Sequence, residues 1–160
     1  MDIKCTTPLQ AVNVFWDRAA EIMREEIVRA FSYLGEQSIE KARDRDEVDS
    51  WFDHTGNLRS SIGYSVYEHG KKLIESAFTP IKGGTLGKSE GQKMVEELAS
   101  NYSSTYALVV VAAMSYADYV EACKNKDVLA SIEIWAKSKV DDYLKKAVER
   151  ATKRINAIKI

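Results

Sequence analysis

The apolar period of this chain changes twice, from roughly 3.6 residues to 2 and back again, and that order leaves few folds open. Near the N-terminal end Val12, Phe15, Trp16, Ala19, Ile22, Met23, Ala30, Phe31 and Leu34 recur three and four residues apart. Such spacing draws one apolar stripe along a helix. Thr7-Pro8-Leu9-Gln10 precedes it with a capping threonine, a proline for the first helical position and a glutamine three residues after the cap. The other face carries Asp17, Arg18, Glu21, Arg24, Glu25 and Arg29, with Glu25 and Arg29 spaced for an i,i+4 pair. Gly35 is expected to bend or end this helix, because glycine costs about 1 kcal/mol relative to alanine inside one. The charged stretch Glu36–Asp53 is expected to let it fade.

From Leu58 to Tyr67 the period is 2. One face reads Leu58, Ser60, Ile62, Tyr64, Val66 and the other Arg59, Ser61, Gly63, Ser65, Tyr67, the pattern of a half-buried strand. Glu68-His69-Gly70-Lys71 reads as a turn, and Lys72–Thr79 as an antiparallel partner stopped by Pro80. Ile81–Lys88, with Gly83, Gly84 and Gly87, reads as loop. Ser89 and Gln92 form a second capping box before a short helix with Met94, Val95 and Leu98 inward. Tyr106–Met114 is apolar on both faces and is expected to be the most buried strand. Ser115–Cys123 suggests a helical turn. Asp127 then caps a long helix running to about Asn156, with Val128, Ile132, Trp135, Val140, Tyr143, Leu144, Ala147, Ala151 and Ile155 near one face. Asp141–Lys145, Asp142–Lys146 and Glu149–Lys153 are spaced to lace its solvent side. The expected fold is therefore α+β, a small mainly antiparallel sheet flanked by long N- and C-terminal helices, in one domain over 1–160 with 80–105 as an insertion.

Composition agrees with a folded domain. The chain has 160 residues, 45% hydrophobic and 29% charged, long enough to bury roughly 68–70% of the surface it exposes when unfolded. Its 23 Lys plus Arg balance 24 Asp plus Glu, a formal charge of −1, so charge gives no case for specific nucleic-acid binding or an anionic membrane. The apolar run Ala107–Met114 is too short to cross a bilayer. Met1, Asp2 and Lys4 lead into no apolar stretch, so no secretory signal is expected and a cytoplasmic site of synthesis is the default. Cys5 and Cys123 make neither a disulfide framework nor a zinc set.

Chemical motifs are sparse. Gly83-Gly84-Thr85-Leu86-Gly87-Lys88-Ser89 approaches the phosphate-binding G-x-x-x-x-G-K-[ST] pattern, but Lys82 stands where its first glycine belongs, and counting from Gly83 leaves one residue too few. Asp49, Asp53 and His54 are near in sequence, with His69 the other histidine, yet no ligand spacing emerges. Neither cysteine has a local base. No catalytic residue, metal site or cofactor is expected. Lys145, Lys146, Arg150, Lys153, Arg154 and Lys159 stand against the single acid Glu149; they complement the negative end of the helix dipole or form a docking face for an acidic neighbour.

Two segments resemble a known family. Thr55-Gly56-Asn57-Leu58-Arg59-Ser60-Ser61-Ile62 and Tyr116-Ala117-Asp118-Tyr119-Val120-Glu121, in this order and between two long helices, resemble the tailed-phage tail-completion and head–tail joining proteins. That family shows a T-G-x-L-R-x-S-I run into a strand and a Y-A-x-Y-V-E segment after a later strand. Here Glu121 continues into Ala122-Cys123-Lys124, where the family has an aromatic residue and a glycine. The resemblance implies a non-enzymatic virion protein in the tail or neck, built into a ring with copies of itself and touching neighbouring neck or tail proteins. Thr55, Gly56, Asn57, Leu58, Arg59, Tyr116, Ala117, Tyr119, Val120 and Glu121 are then its assembly residues. On their own chemistry, Gly56 allows a positive φ, Asn57 can bond its own backbone to start the strand, Arg59 is free to pair across an interface, and Tyr116 with Tyr119 can present one aromatic surface. A nucleotide- or phosphate-binding enzyme using Gly83–Ser89, and a cytoplasmic interaction module, are the alternatives.

Overall fold

The computed structural model describes residues 8–44, 51, 53–123 and 127–159. Its long helices are α1, Leu9–Arg43, and α5, Ala130–Asn156. Between them lie the short helix α2, Asn57–Ser61, strands β1, Ile62–Glu68, and β2, Lys71–Glu75, helix α3, Thr85–Leu98, a 3₁₀ turn Ala99–Tyr102, strand β3, Tyr106–Ala112, and helix α4, Ala117–Ala122. The three strands form one antiparallel sheet in the order β2-β1-β3. The α+β expectation, with two long helices around a small antiparallel sheet, holds.

Alternation along β1 sends its side chains into two cores. Ile62, Tyr64 and Val66 meet Ile39 and Ala42 of α1 and Ile132 of α5. Tyr67 joins Phe78, Val95, Val109 and Val111 under α3. The sheet is thus covered on both faces, and β1, read from sequence as half-buried, is its most buried strand, while β3 lies at an edge. Polar or absent side chains on the second face misled the pattern: Gly63 makes room for a ring, and Ser65 is fully buried.

α1 and α5 pack antiparallel. Lys41 lies over the Trp135 ring, Tyr143 donates to Gln37 at 2.5 Å, and Arg150 and Arg154 reach Glu26 at 2.7 and 2.9 Å. Glu26 is only 2% exposed and falls on the apolar stripe between Ile22 and Ala30. The hydrogen bond from Arg150 and then that from Arg154 hold its carboxyl below the usual glutamate range, against the opposing push of burial. Arg150 and Arg154 at the basic end of α5 therefore clamp the two helices together. Glu25, expected beside Arg29, also accepts from Arg154. Ala11, Val14 and Phe15 in the first turns of α1 line one open pocket with Ile158, just past α5, and Trp16, expected inside, is 64% exposed.

Several local expectations need correction. Thr7 lies outside the described residues, and Pro8 precedes α1 instead of opening it. Gly35 does not end the helix, which runs on to Arg43. A Cβ there would sit 2.5 Å from the Tyr64 ring, so glycine lets β1 approach the helix. Residues 58–61 are helical rather than strand, β2 ends at Glu75, and α3 starts at Thr85, which puts Ser89 inside it instead of at its cap. Asp127 Oδ1 accepts from Ser131 N–H at 3.2 Å, though α5 begins only at Ala130.

Candidate functional site

The two family-like segments, some sixty residues apart in sequence, meet at one surface pocket. Trp51, Asp53, His54, Thr55, Asn57, Leu58, Leu86, Met114, Tyr116 and Val120 line a space of about 440 Å³.

Its first wall is a knot of main chain. Gly56 takes φ +73°, as its turn chemistry suggests, but the turn opens α2 and not a strand. Asp53 Oδ1 accepts from Gly56 N–H at 3.0 Å, and Thr55 Oγ1 from Asn57 N–H at 3.4 Å. Asn57 does not bond its own backbone; its Oδ1 accepts from Gly87 N–H at 3.1 Å. Ser60 Oγ accepts from Ile81 N–H at 2.7 Å, and Ser61 Oγ accepts from Ala113 N–H at 3.1 Å while donating to Leu58 O. Leu58 itself is buried in the core. Short polar side chains on one helical turn thus hold three chain segments whose buried amides would otherwise lack partners. Arg59, expected to be free for a partner molecule, is committed internally. It donates to Arg43 O at 2.9 Å, stands 3.9 Å from Asp53 Oδ2 and lies over the Trp51 ring.

The glycine-rich stretch serves this knot. A Cβ on Gly84 would lie 2.5 Å from Gly56 O, and one on Gly87 1.9 Å from Asn57 O. Those positions are filled by protein backbone, and the Gly87 amide is already bonded to Asn57. The space and free amides that a phosphate cradle requires are therefore taken up at these two glycines.

The second wall comes from α4. Ala117 is buried, Val120 packs on the main core, and Tyr116 and Tyr119 are 39% and 74% exposed. Burial and then the negative charge of Asp53 push the Tyr116 phenol up from its ordinary value. Glu121 has a part that sequence reading missed. Its carboxylate accepts the N–H groups of Val128 and Leu129 at 2.9 and 2.8 Å through Oε2, and of Ala130 at 2.9 Å through Oε1. These amides lie at the unpaired start of α5, where a negative charge is favoured. Replacing Glu121 with alanine is expected to cost about 1–2 kcal/mol of unfolding free energy, measured by urea denaturation. A change below about 0.3 kcal/mol would remove the capping role.

Chemically, the pocket pairs His54 and Asp53 with two aromatic rings and an apolar floor. Among the described residues no group of three or more His, Cys, Asp or Glu is placed to hold a metal ion. No described helix is long and apolar enough to cross a membrane. Of the residues expected at the assembly surface, Tyr116, Tyr119 and Thr55 stand outward, while Gly56, Leu58 and Ala117 are interior. No family model, no curated protein and no solved structure matches this chain.

Proposed function

We propose that the protein is a structural subunit of a phage or prophage virion, a tail-completion or head–tail joining component that assembles with copies of itself into a ring. The observation that supports this reading is the meeting of the two family-like segments at one pocket with an outward apolar rim. Leu86, Tyr116 and Tyr119 are exposed around or beside it, whereas the polar side chains of the first segment are bonded to the protein's own backbone. Exposed aromatic groups around a scaffold whose short polar side chains hold its own backbone suit an interface better than a reaction.

A ring uses a heterologous contact, in which two dissimilar patches of the same chain meet. Leu9 and Trp16, seven residues apart on one face near the opposite end of α1 and both exposed, offer a second apolar patch. A formal charge of −1 suits a component that surrounds DNA without gripping it. The test is peptide mass spectrometry on density-purified particles from an induced culture of the source strain. A few copies per particle, far below the tube and capsid subunits, are expected. Absence from intact particles despite clear expression in the cells would remove the virion reading and favour a cytoplasmic interaction module.

A further inference from the structure

We propose that β3 is an open edge that pairs, antiparallel and about a two-fold axis, with β3 of a second copy of this chain. The two edges of the sheet differ. β2 has five residues, begins with Lys71 and Lys72, and meets β1 across a register irregularity at Val66/Tyr67. Short length, lysines and bulges are the features that discourage edge-to-edge pairing. β3 has none of them. It runs Tyr-Ala-Leu-Val-Val-Val-Ala in continuous register with β1, without a charge or a proline. Among the described residues no strand pairs with its outer side.

The space beside this edge is apolar. Leu108 and Val110, half-buried, border a groove of about 420 Å³ whose far wall is Leu129 and Ile132 at the start of α5. Glu133 and Lys137 on its rim already pair with each other, so no uncompensated charge opposes an apolar occupant.

A second copy of β3 fits because the strand is self-complementary. With Val109 opposite the partner's Val109, Leu108 falls opposite the partner's Val110 and Tyr106 opposite the partner's Ala112. Period-2 alternation puts Leu108 and Val110 of both chains on the groove side. No like charges meet in this register or in its neighbours. The guarded β2 edge argues against β3-to-β2 pairing, which leaves β3 itself as the matching edge. This contact is isologous and joins one chain to one other. It is separate from the heterologous contact of a ring and does not rest on the virion reading.

Sedimentation velocity across a concentration series tests it, alongside hydrogen exchange on the same samples. The full chain is expected to pass from one 18.0 kDa unit to two, with amides of β3 gaining protection as concentration rises. Val110→Lys should weaken self-association at least about tenfold, a change of about 1.4 kcal/mol, with cooperative thermal unfolding retained. If that variant fails to fold, the exchange data on the unaltered chain decide. A chain that stays single at every concentration, a dimer whose β3 amides exchange as in the monomer, or a folded Val110→Lys that dimerises undiminished would each overturn the proposal. Rings without β3 protection would overturn it too, while leaving the assembly reading in place.

Discussion

Replacing Gly56 with valine is expected to cost about 4 kcal/mol or more of unfolding free energy, a large share of the 5–15 kcal/mol typical of a domain. Two effects combine. The residue sits at φ +73°, a region in which a β-branched residue is a steric outlier. Its added Cβ would also stand 1.7 Å from the carbonyl oxygen of Ile81. That oxygen belongs to main chain anchored by the Ser60 hydroxyl, so it cannot turn aside as a flexible side chain would. Gly83 supplies the control. It has nearly the same dihedral, φ +80°, but nothing lies within 4 Å of its would-be Cβ. Gly83→Ala should cost only the left-handed penalty of roughly 1–2 kcal/mol. Urea unfolding followed by circular dichroism separates the two, and similar losses at both positions would show that crowding at Gly56 is relaxed by backbone movement.

The second large effect is expected at Phe78. This ring lies between two glycines, one on the sheet and one on the helix above it. Cβ atoms on Gly63 and Gly91 would fall 2.2 and 2.4 Å from the same ring carbon. Phe78→Ala empties that slot and should cost about 3–5 kcal/mol, the range for deleting a buried aromatic side chain. Gly63→Ala alone overfills it and should cost about 1–3 kcal/mol. In the double variant the added methyl enters the vacated space, so the losses should fall short of their sum by about 1 kcal/mol or more. Strict additivity in a double-mutant cycle would mean that the ring and Gly63 are not in the contact described.

The same slot explains part of what sequence reading missed. Gly63 and Ser65 alternate with large apolar residues, which is the usual mark of a solvent face; here they are small because Phe78 and α3 lie against them. An apolar strand such as β3 carries the opposite ambiguity, because an uncovered edge and a buried centre read alike. The long helices were legible because α1 and α5 keep their stripe for many turns, and the Gly56 turn because its chemistry is local. Period 2 continued through Leu58 and Ser60 and concealed the helical turn there, since five residues of helix show no period of their own. At the candidate site, the joining of residues 55–57 with Tyr116 follows from chain topology rather than from any nearby pattern. Glu121 caps amides seven to nine residues away, beyond the spacing at which capping boxes are recognised. Glu26 did leave a trace: an acid placed four residues from both Ile22 and Ala30 on an apolar stripe implies a buried cationic partner.

That antiparallel pairing of α1 with α5 also shapes how the molecule is made. Glu26 and Arg150 are separated by 124 residues of chain, so the stripe of α1 emerges from the ribosome long before the helix that covers it has been synthesised. Until then Ile22, Ala30 and Leu34 have only β1 and its neighbours to shield them. Contacts of such long sequence separation slow folding and prolong the exposure of sticky surface. Nascent chains stalled before α5 should therefore be the species that chaperones hold and proteases remove. Abundance in the cell would then depend on how quickly translation delivers α5.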